Sequence, residues 1–75
     1  MTDQEVFAVI AKALDVDLAT ITIDTLSSDI PDWDSLGHLT IFMELETAFP
    51  EEYDSDPRFA SVVSVKEIID ILHGN

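Results

Sequence analysis

The 75-residue chain has no cysteine, only two glycines, and three basic residues against 16 acidic ones. Without cysteine there is no disulfide or thiolate metal site, so the domain must be held together by packing alone. The shortage of basic residues leaves a net charge of −13. Such a surface repels nucleic-acid phosphates and anionic lipid headgroups, so we expect neither nucleic-acid binding nor membrane insertion.

Long hydrophobic runs are also missing, and no segment has the length of a membrane span. Asp3 and Glu5 lie where a signal peptide would carry basic residues, so we expect a soluble, cytoplasmic protein. Hydrophobic residues nevertheless make up 47% of the chain, which argues against disorder. The length of the chain predicts a single domain over residues 1–75, which we expect to be monomeric. A core as small as this one disfavours a catalytic cleft.

Helix signals are clearest at the two ends of the chain. Thr2 and Glu5 have the spacing of a capping box, and the apolar residues that follow predict a helix over residues 3–14. Near the other end, Ser64 and Glu67 repeat the capping-box spacing before an apolar stripe that predicts the last helix. Gly74 suits the C-terminal cap of that helix.

Between these helices the signals are mixed. Residues 15–34 lose the helical periodicity and predict a long loop. A second helix should begin at Asp34 or Ser35 and end by Phe49, because Pro50 disfavours helical backbone in the residue before it. Asp56-Pro57 then predicts a short additional helix. The fold class is therefore all-α: a small bundle of three main helices and one short helix.

The second helix carries apolar side chains on two faces. One face suits the core and holds His38, Ile41, Phe42, Leu45 and Phe49. The other holds Leu36, Leu39 and Met43. Two explanations of this second face stay open: the short helix or the loop covers it, or it forms a partner-binding surface edged by Ser35 and Glu46. For His38 the position predicts a partly buried structural histidine.

The segment Trp33-Asp34-Ser35-Leu36 resembles the Asp-Ser-Leu signature of acyl carrier proteins. In that family, the serine at the start of the second helix carries a 4′-phosphopantetheine arm. The resemblance extends over the whole chain in length, acidity, the long loop before the motif and the order of the helices. It implies a carrier that is not itself an enzyme and that tethers acyl or related intermediates as thioesters, in fatty acid, polyketide or related biosynthesis.

The resemblance also implies roles for individual residues. Ser35 would be the attachment residue, and Asp34 and Leu36 would belong to the motif read by a phosphopantetheinyl transferase. The face presented to acyl-loading and acyl-transfer enzymes would comprise Leu36, Leu39, Met43 and Glu46. Inward positions near a cavity that can shelter an acyl chain would be Ile41, Phe42, Leu45 and Phe49. No metal-binding residue is implied.

Some residues depart from the family pattern. Trp33 replaces the glycine usual before the motif in fatty-acid carriers, and a bulky side chain here would restrict the route of a tethered chain. Thr40, Thr47 and Ala48 stand where those carriers often place acidic residues. Because rim charges set encounter rate and partner choice, these departures favour a specialised carrier, for a secondary-metabolite, aminoacyl or cell-envelope pathway.

A different class of function stays open beside the carrier. An acidic helical adaptor without a prosthetic group would need the charge but not Ser35. Its acidic residues should cluster on one face, whereas residues 1–34 and residues 35–75 carry eight each. The adaptor remains the alternative functional hypothesis for this acidic chain.

Overall fold

The computed structural model describes residues 1–74, which contain three α-helices, three short 3₁₀ helices and no β-strand. The α-helices are α1 (Asp3–Leu14), α2 (Ser35–Ala48) and α3 (Val65–Leu72). The 3₁₀ helices are Leu18–Thr20, Ser27–Asp29 and Pro57–Ser61. The prediction of a small all-α bundle with three main helices is confirmed. No helix in the described part of the chain is both long and apolar enough to cross a membrane.

Helix α1 begins and ends where the sequence predicts. The hydroxyl of Thr2 accepts a hydrogen bond from the Glu5 amide at 3.2 Å, and the Glu5 carboxylate accepts one from the Thr2 amide at 2.8 Å. This reciprocal pair satisfies two amides that the first turn leaves without partners. At the other end, Asp15 adopts a left-handed conformation with φ of 55°, and its amide bonds to the Lys12 carbonyl.

The connection from α1 to α2 is more ordered than a plain loop. It contains two of the 3₁₀ helices, and its apolar side chains Ile21, Ile30 and Trp33 are buried. Its backbone is also tied to the start of α3, because the Ser27 amide donates to the Val63 carbonyl at 2.7 Å. These contacts hold the segment that leads into α2 in a defined position.

Helix α2 starts at Ser35 with Asp34 as its N-cap. The Asp34 carboxylate accepts a hydrogen bond from the Gly37 amide at 2.8 Å. The helix ends at Ala48, one residue before the predicted limit at Phe49. The short helix predicted at Asp56-Pro57 is the 3₁₀ helix Pro57–Ser61, and Asp56 caps it.

The start of α3 differs from the predicted capping box in one bond. The Ser64 hydroxyl accepts from the Glu67 amide at 3.2 Å, as predicted. The Glu67 carboxylate, however, accepts from the amide of Val63 at 3.1 Å and from the Ser64 hydroxyl at 2.9 Å, and not from the Ser64 amide. The extended backbone before α3, which pairs with Leu26, presents the Val63 amide to this carboxylate. Gly74 has the positive φ, 83°, expected of a residue that closes a helix.

The core lies where the inner faces of the three α-helices meet. Its six largest fully buried side chains come two from each helix: Val6, Ile10, Ile41, Leu45, Val65 and Ile68. Dense aliphatic packing of this kind is the main stabilising contribution in a domain without disulfides. It orients α2 so that its N-terminus and its second apolar face lie at the surface.

Candidate functional site

Ser35 is an exposed residue at the N-terminus of α2. Two amides of the first turn are already used, because Gly37 bonds the Asp34 side chain and His38 bonds the Asp34 carbonyl. Among the described residues, the amides of Ser35 and Leu36 make no hydrogen bond. An exposed hydroxyl beside unused amides at the positive end of a helix dipole suits a phosphate ester.

The second apolar face of α2 is uncovered. Leu36, Leu39 and Met43 are 73%, 57% and 61% exposed. Neither the 3₁₀ helix Pro57–Ser61 nor the connection from α1 covers them, so the first of the two explanations is wrong and the partner-binding surface stays a prediction. Glu46 is also exposed and borders the same shallow groove as Leu39 and Met43.

Two threonines border this face and are turned back toward the helix. The Thr40 hydroxyl donates to the Leu36 carbonyl at 2.8 Å, and the Thr47 hydroxyl donates to the Met43 carbonyl at 3.0 Å. Each hydroxyl proton is therefore used within α2. The face thus combines apolar side chains with few polar groups in need of a partner, which suits apolar contact with another protein.

The opposite face of α2 packs inward. Ile41 and Leu45 have no exposed surface, Phe49 is buried and Phe42 is half-buried. The four residues that the resemblance placed inward therefore face the core or its edge. In this structure they contribute to the packing that holds α2 in place.

A row of hydrogen-bonded residues lies next to Ser35. The indole Nε1 of Trp33 donates to Nδ1 of His38 at 3.1 Å, and Nε2 of His38 lies 2.8 Å from the Phe59 carbonyl. His38 is half-buried, as predicted from its helix position. Both ring nitrogens are engaged, so His38 can act as a base toward Ser35 only by giving up one of these bonds.

Aromatic ring contacts extend this row of hydrogen-bonded residues. The Phe42 ring lies 4.8 Å from His38 and 4.7 Å from Phe59, measured between centroids. Tyr53 stacks on Phe59 at 5.6 Å with nearly parallel planes. Contacts at these distances are typical of favourable aromatic pairs. The rings fill the seam between α2 and the segment that includes Pro57–Ser61.

An open groove of about 440 Å³ runs beside Ser35. Its lining includes Ser35, Ser27, Trp33, His38, Ser61 and Val62. The sequence predicts separate roles for Trp33 and His38 and no role for Ser27 or Ser61, although all four residues line this groove. Those two serines come from segments distant in sequence and carry no motif, so no local pattern points to them.

One acidic side chain lies directly beside Ser35, and two others lie further along α2. The N-cap Asp34 lines the groove, and its carboxylate uses one oxygen to cap α2. On α2 itself, Glu44 is drawn toward α1 by an ion pair with Lys12 at 3.4 Å. Glu46 is thus the acidic residue of α2 that lies with the exposed apolar face.

The chain matches no protein-family model and no curated protein. The arrangement around Ser35 is nevertheless well defined. It consists of an exposed hydroxyl at a helix N-terminus, an apolar face on one side of it and an open groove on the other.

Proposed function

We propose that the protein is an acyl carrier whose Ser35 is esterified with 4′-phosphopantetheine. The observation that carries this proposal is the position of Ser35, which is exposed at the first residue of α2 and directly follows the N-cap Asp34. The residues present fit the group. The unused amides of Ser35 and Leu36 can donate to a phosphate, and the helix dipole stabilises its charge.

The arm would supply a thiol on which an acyl group is held as a thioester. The residues of the chain itself hold and present that group. Asp34 fixes the start of α2 through its bond to the Gly37 amide, and this bond sets the position of Ser35. The absence of cysteine from the sequence is compatible with the proposal, because the reactive sulfur comes with the arm.

Partner recognition would use the exposed face of α2. Leu36, Leu39 and Met43 offer apolar contact within reach of Ser35, and Glu46 adds a negative charge at the edge. The net charge of −13 would speed encounters with basic surfaces on a phosphopantetheinyl transferase and on acyl-loading and acyl-transfer enzymes. Tethering would raise the effective concentration of the acyl group at each partner. The departures at Trp33 and Thr40 favour a specialised pathway over general fatty-acid synthesis.

Mass spectrometry tests the attachment directly. The purified protein is incubated with a promiscuous phosphopantetheinyl transferase, magnesium and coenzyme A. We expect a gain of one phosphopantetheinyl group in the wild type and none in Ser35→Ala. Ser61→Ala is the matched control, since Ser61 is also exposed and lines the groove, and it should gain the group as the wild type does.

Two results would contradict the proposal: no gain of mass in the wild type, or a gain that persists in Ser35→Ala. The adaptor alternative makes the opposite prediction. It requires a binding partner from the same cell whose affinity is unchanged by Ser35→Ala and falls steeply with salt, because charge alone would drive the contact.

A further inference from the structure

We infer that the cargo of this carrier stays outside the fold, in the groove beside Ser35, and is a short acyl group with polar substituents, not a long alkyl chain. This inference rests on the proposed function and adds the class of cargo. It follows from the residues that separate the groove from the core.

The inner wall of the groove is formed by Trp33 and His38. Trp33 is only 7% exposed, so its ring is set into the protein and does not lie as a mobile flap over the surface. The two rings are joined by the Nε1 to Nδ1 hydrogen bond, and His38 is anchored in turn to the Phe59 carbonyl. An alkyl chain entering the core through this wall would have to break this pair of hydrogen bonds.

The space behind this wall is also filled. Phe42 packs against His38 and Phe59, with centroid distances below 5 Å for both pairs. Further in, Ile41 and Leu45 have no exposed surface. Interiors packed at this density accept an additional group only if neighbouring side chains move, and such movement is unfavourable.

The groove itself is partly polar. Its polar lining comes from Ser27, Ser61 and Asp34, and its apolar lining includes Ala60, Val62 and Val63. The Ser61 hydroxyl donates to the Arg58 carbonyl, which leaves its oxygen able to accept a further hydrogen bond. The Ser27 hydroxyl makes no hydrogen bond within residues 1–74. Hydroxyl or amide substituents on a short cargo would find partners here, and its few carbons would contact Val62 and Val63. The part of a long alkyl chain that extends beyond this open groove would remain exposed to water.

The test compares two cargoes on the wild-type protein. Ser35 is loaded with the arm carrying either octanoate or 3-hydroxybutyrate, using the corresponding coenzyme A thioesters. Each thioester is then cleaved with hydroxylamine, and its rate is divided by that of the same thioester on free pantetheine. If both cargoes lie outside, the two normalised rates should have a ratio of about one, because water and hydroxylamine reach both thioesters. Slower normalised cleavage of the octanoyl thioester would overturn the inference.

Methyl NMR provides a second readout on the same samples. Octanoyl loading should leave the methyl signals of Ile41 and Leu45 where they are in the protein that carries the unloaded arm. Loading with 3-hydroxybutyrate should shift the amide signals of Ser27 and Ser61. Octanoyl-induced shifts of the core methyls, or unchanged Ser27 and Ser61 signals, would contradict the inference. Failure of the arm to attach is seen earlier, by mass, and would refute the proposed function itself.

Removing the wall is the converse experiment. Trp33→Gly deletes the indole that bonds His38 and should open a route from Ser35 toward Phe42. The folded variant is expected to cleave its octanoyl thioester more slowly than the wild type, with the 3-hydroxybutyryl thioester unchanged. If the folded variant keeps the wild-type rate ratio, Trp33 is not the barrier. If the variant does not fold, the wild-type ratio alone decides the inference.

Discussion

Trp33 and His38 are joined by a hydrogen bond that fixes the tautomer of the histidine. The indole Nε1 can only donate, so Nδ1 of His38, 3.1 Å away, must accept. The carbonyl of Phe59 can only accept, so Nε2 of His38, 2.8 Å away, must carry the proton. The neutral Nε2–H form is the state that satisfies both partners. This bond pair ties α2 to the connection before it and to the 3₁₀ helix Pro57–Ser61.

The tautomer is directly measurable. At neutral pH, the ¹⁵N shifts of His38 should show a protonated Nε2 and an unprotonated Nδ1. Trp33→Phe removes the indole donor and leaves a partly buried acceptor, so we expect a loss of about 1–3 kcal/mol in the free energy of unfolding. His73 is the internal reference, because it is exposed and the one hydrogen-bond partner of its ring among the described residues is the Asp3 carboxylate at 3.3 Å. A protonated Nδ1 on His38 would contradict the assignment.

Gly37 lies in the first turn of α2 because no larger residue fits there. A Cβ at this position would collide with the backbone carbonyl of Asp32 and would lie 2.9 Å from a methyl group of Leu14. In an open helical site, replacing glycine with alanine stabilises a protein by roughly 0.5–1 kcal/mol. Here we expect the opposite sign, with Gly37→Ala lowering the free energy of unfolding by about 1–3 kcal/mol.

Urea unfolding of the two proteins measures this difference, since the midpoint moves with stability when the slope is unchanged. The sign alone is decisive. A more stable Gly37→Ala protein would show that the approach of Asp32 to α2 is not as close as the structure has it. Because the collision involves backbone, side-chain rearrangement cannot relieve it.

Sequence and structure agree best where the determining interactions are local. The caps Thr2 and Asp34 accept hydrogen bonds from amides three residues further along the chain, so the residue spacing in the sequence is enough to predict these bonds. The starts of α1 and α2 were predictable for that reason. The same logic applied to Ser64 predicted its bond to the Glu67 amide.

The groove beside Ser35 could not be predicted in the same way. It depends on contacts between distant segments, such as the bond between His38 and Phe59 and the bond between Ser27 and Val63. Helical periodicity showed that α2 has two apolar faces but not which one the rest of the chain would cover. The exposure of Leu36 is a property of tertiary packing, which periodicity does not determine.

The two faces of α2 should respond differently to the same substitution. Leu39→Ala changes a side chain that is 57% exposed, so the free energy of unfolding should change by no more than about 0.5 kcal/mol. Leu45→Ala is the matched control, since it empties a fully buried site on the same helix and should cost about 2–5 kcal/mol. Under the proposed function, Leu39→Ala should also lower kcat/KM for modification of Ser35 by the transferase.

Thermal unfolding and a transferase assay measure the two effects separately. A strongly destabilised Leu39→Ala protein would show that this residue contributes to the core. An unchanged kcat/KM in a stable Leu39→Ala protein would remove Leu39 from the proposed docking face.

Glu5 should make the stability of α1 depend on pH. Its hydrogen bonds from Thr2 hold the pKa of the Glu5 carboxyl below its ordinary value. A depressed pKa in the folded state means that the carboxylate stabilises the fold at neutral pH, and that this contribution is lost as the pH falls through the folded pKa. We expect Glu5→Gln to lower the melting temperature at pH 7 by more than it does at pH 3.

Glu51→Gln is the control for the change in charge alone. Glu51 is exposed and makes no hydrogen bond through its side chain among the described residues. The melting temperature of Glu51→Gln therefore changes only through the loss of one repulsive negative charge. The difference in melting temperature between Glu5→Gln and Glu51→Gln isolates the interactions of the Glu5 carboxylate, which are the capping bond and a 3.9 Å ion pair with the N-terminal amine of Met1. If that difference does not shrink on acidification, the Glu5 carboxylate does not stabilise the fold through its charge.

Added salt should stabilise this protein. The net charge of −13 is spread over a compact domain, and its repulsion is screened as the ionic strength rises. The opposing effect is small, because solvent screens surface ion pairs such as Lys12 with Glu44 and Arg58 with Asp56, so they contribute little to stability. We expect the melting temperature to rise between low and moderate sodium chloride by several degrees, since about 4–8 °C corresponds to 1 kcal/mol in a domain of this size. Calorimetry at a series of salt concentrations checks this, and a flat or falling melting temperature would show that the ion pairs outweigh the repulsion.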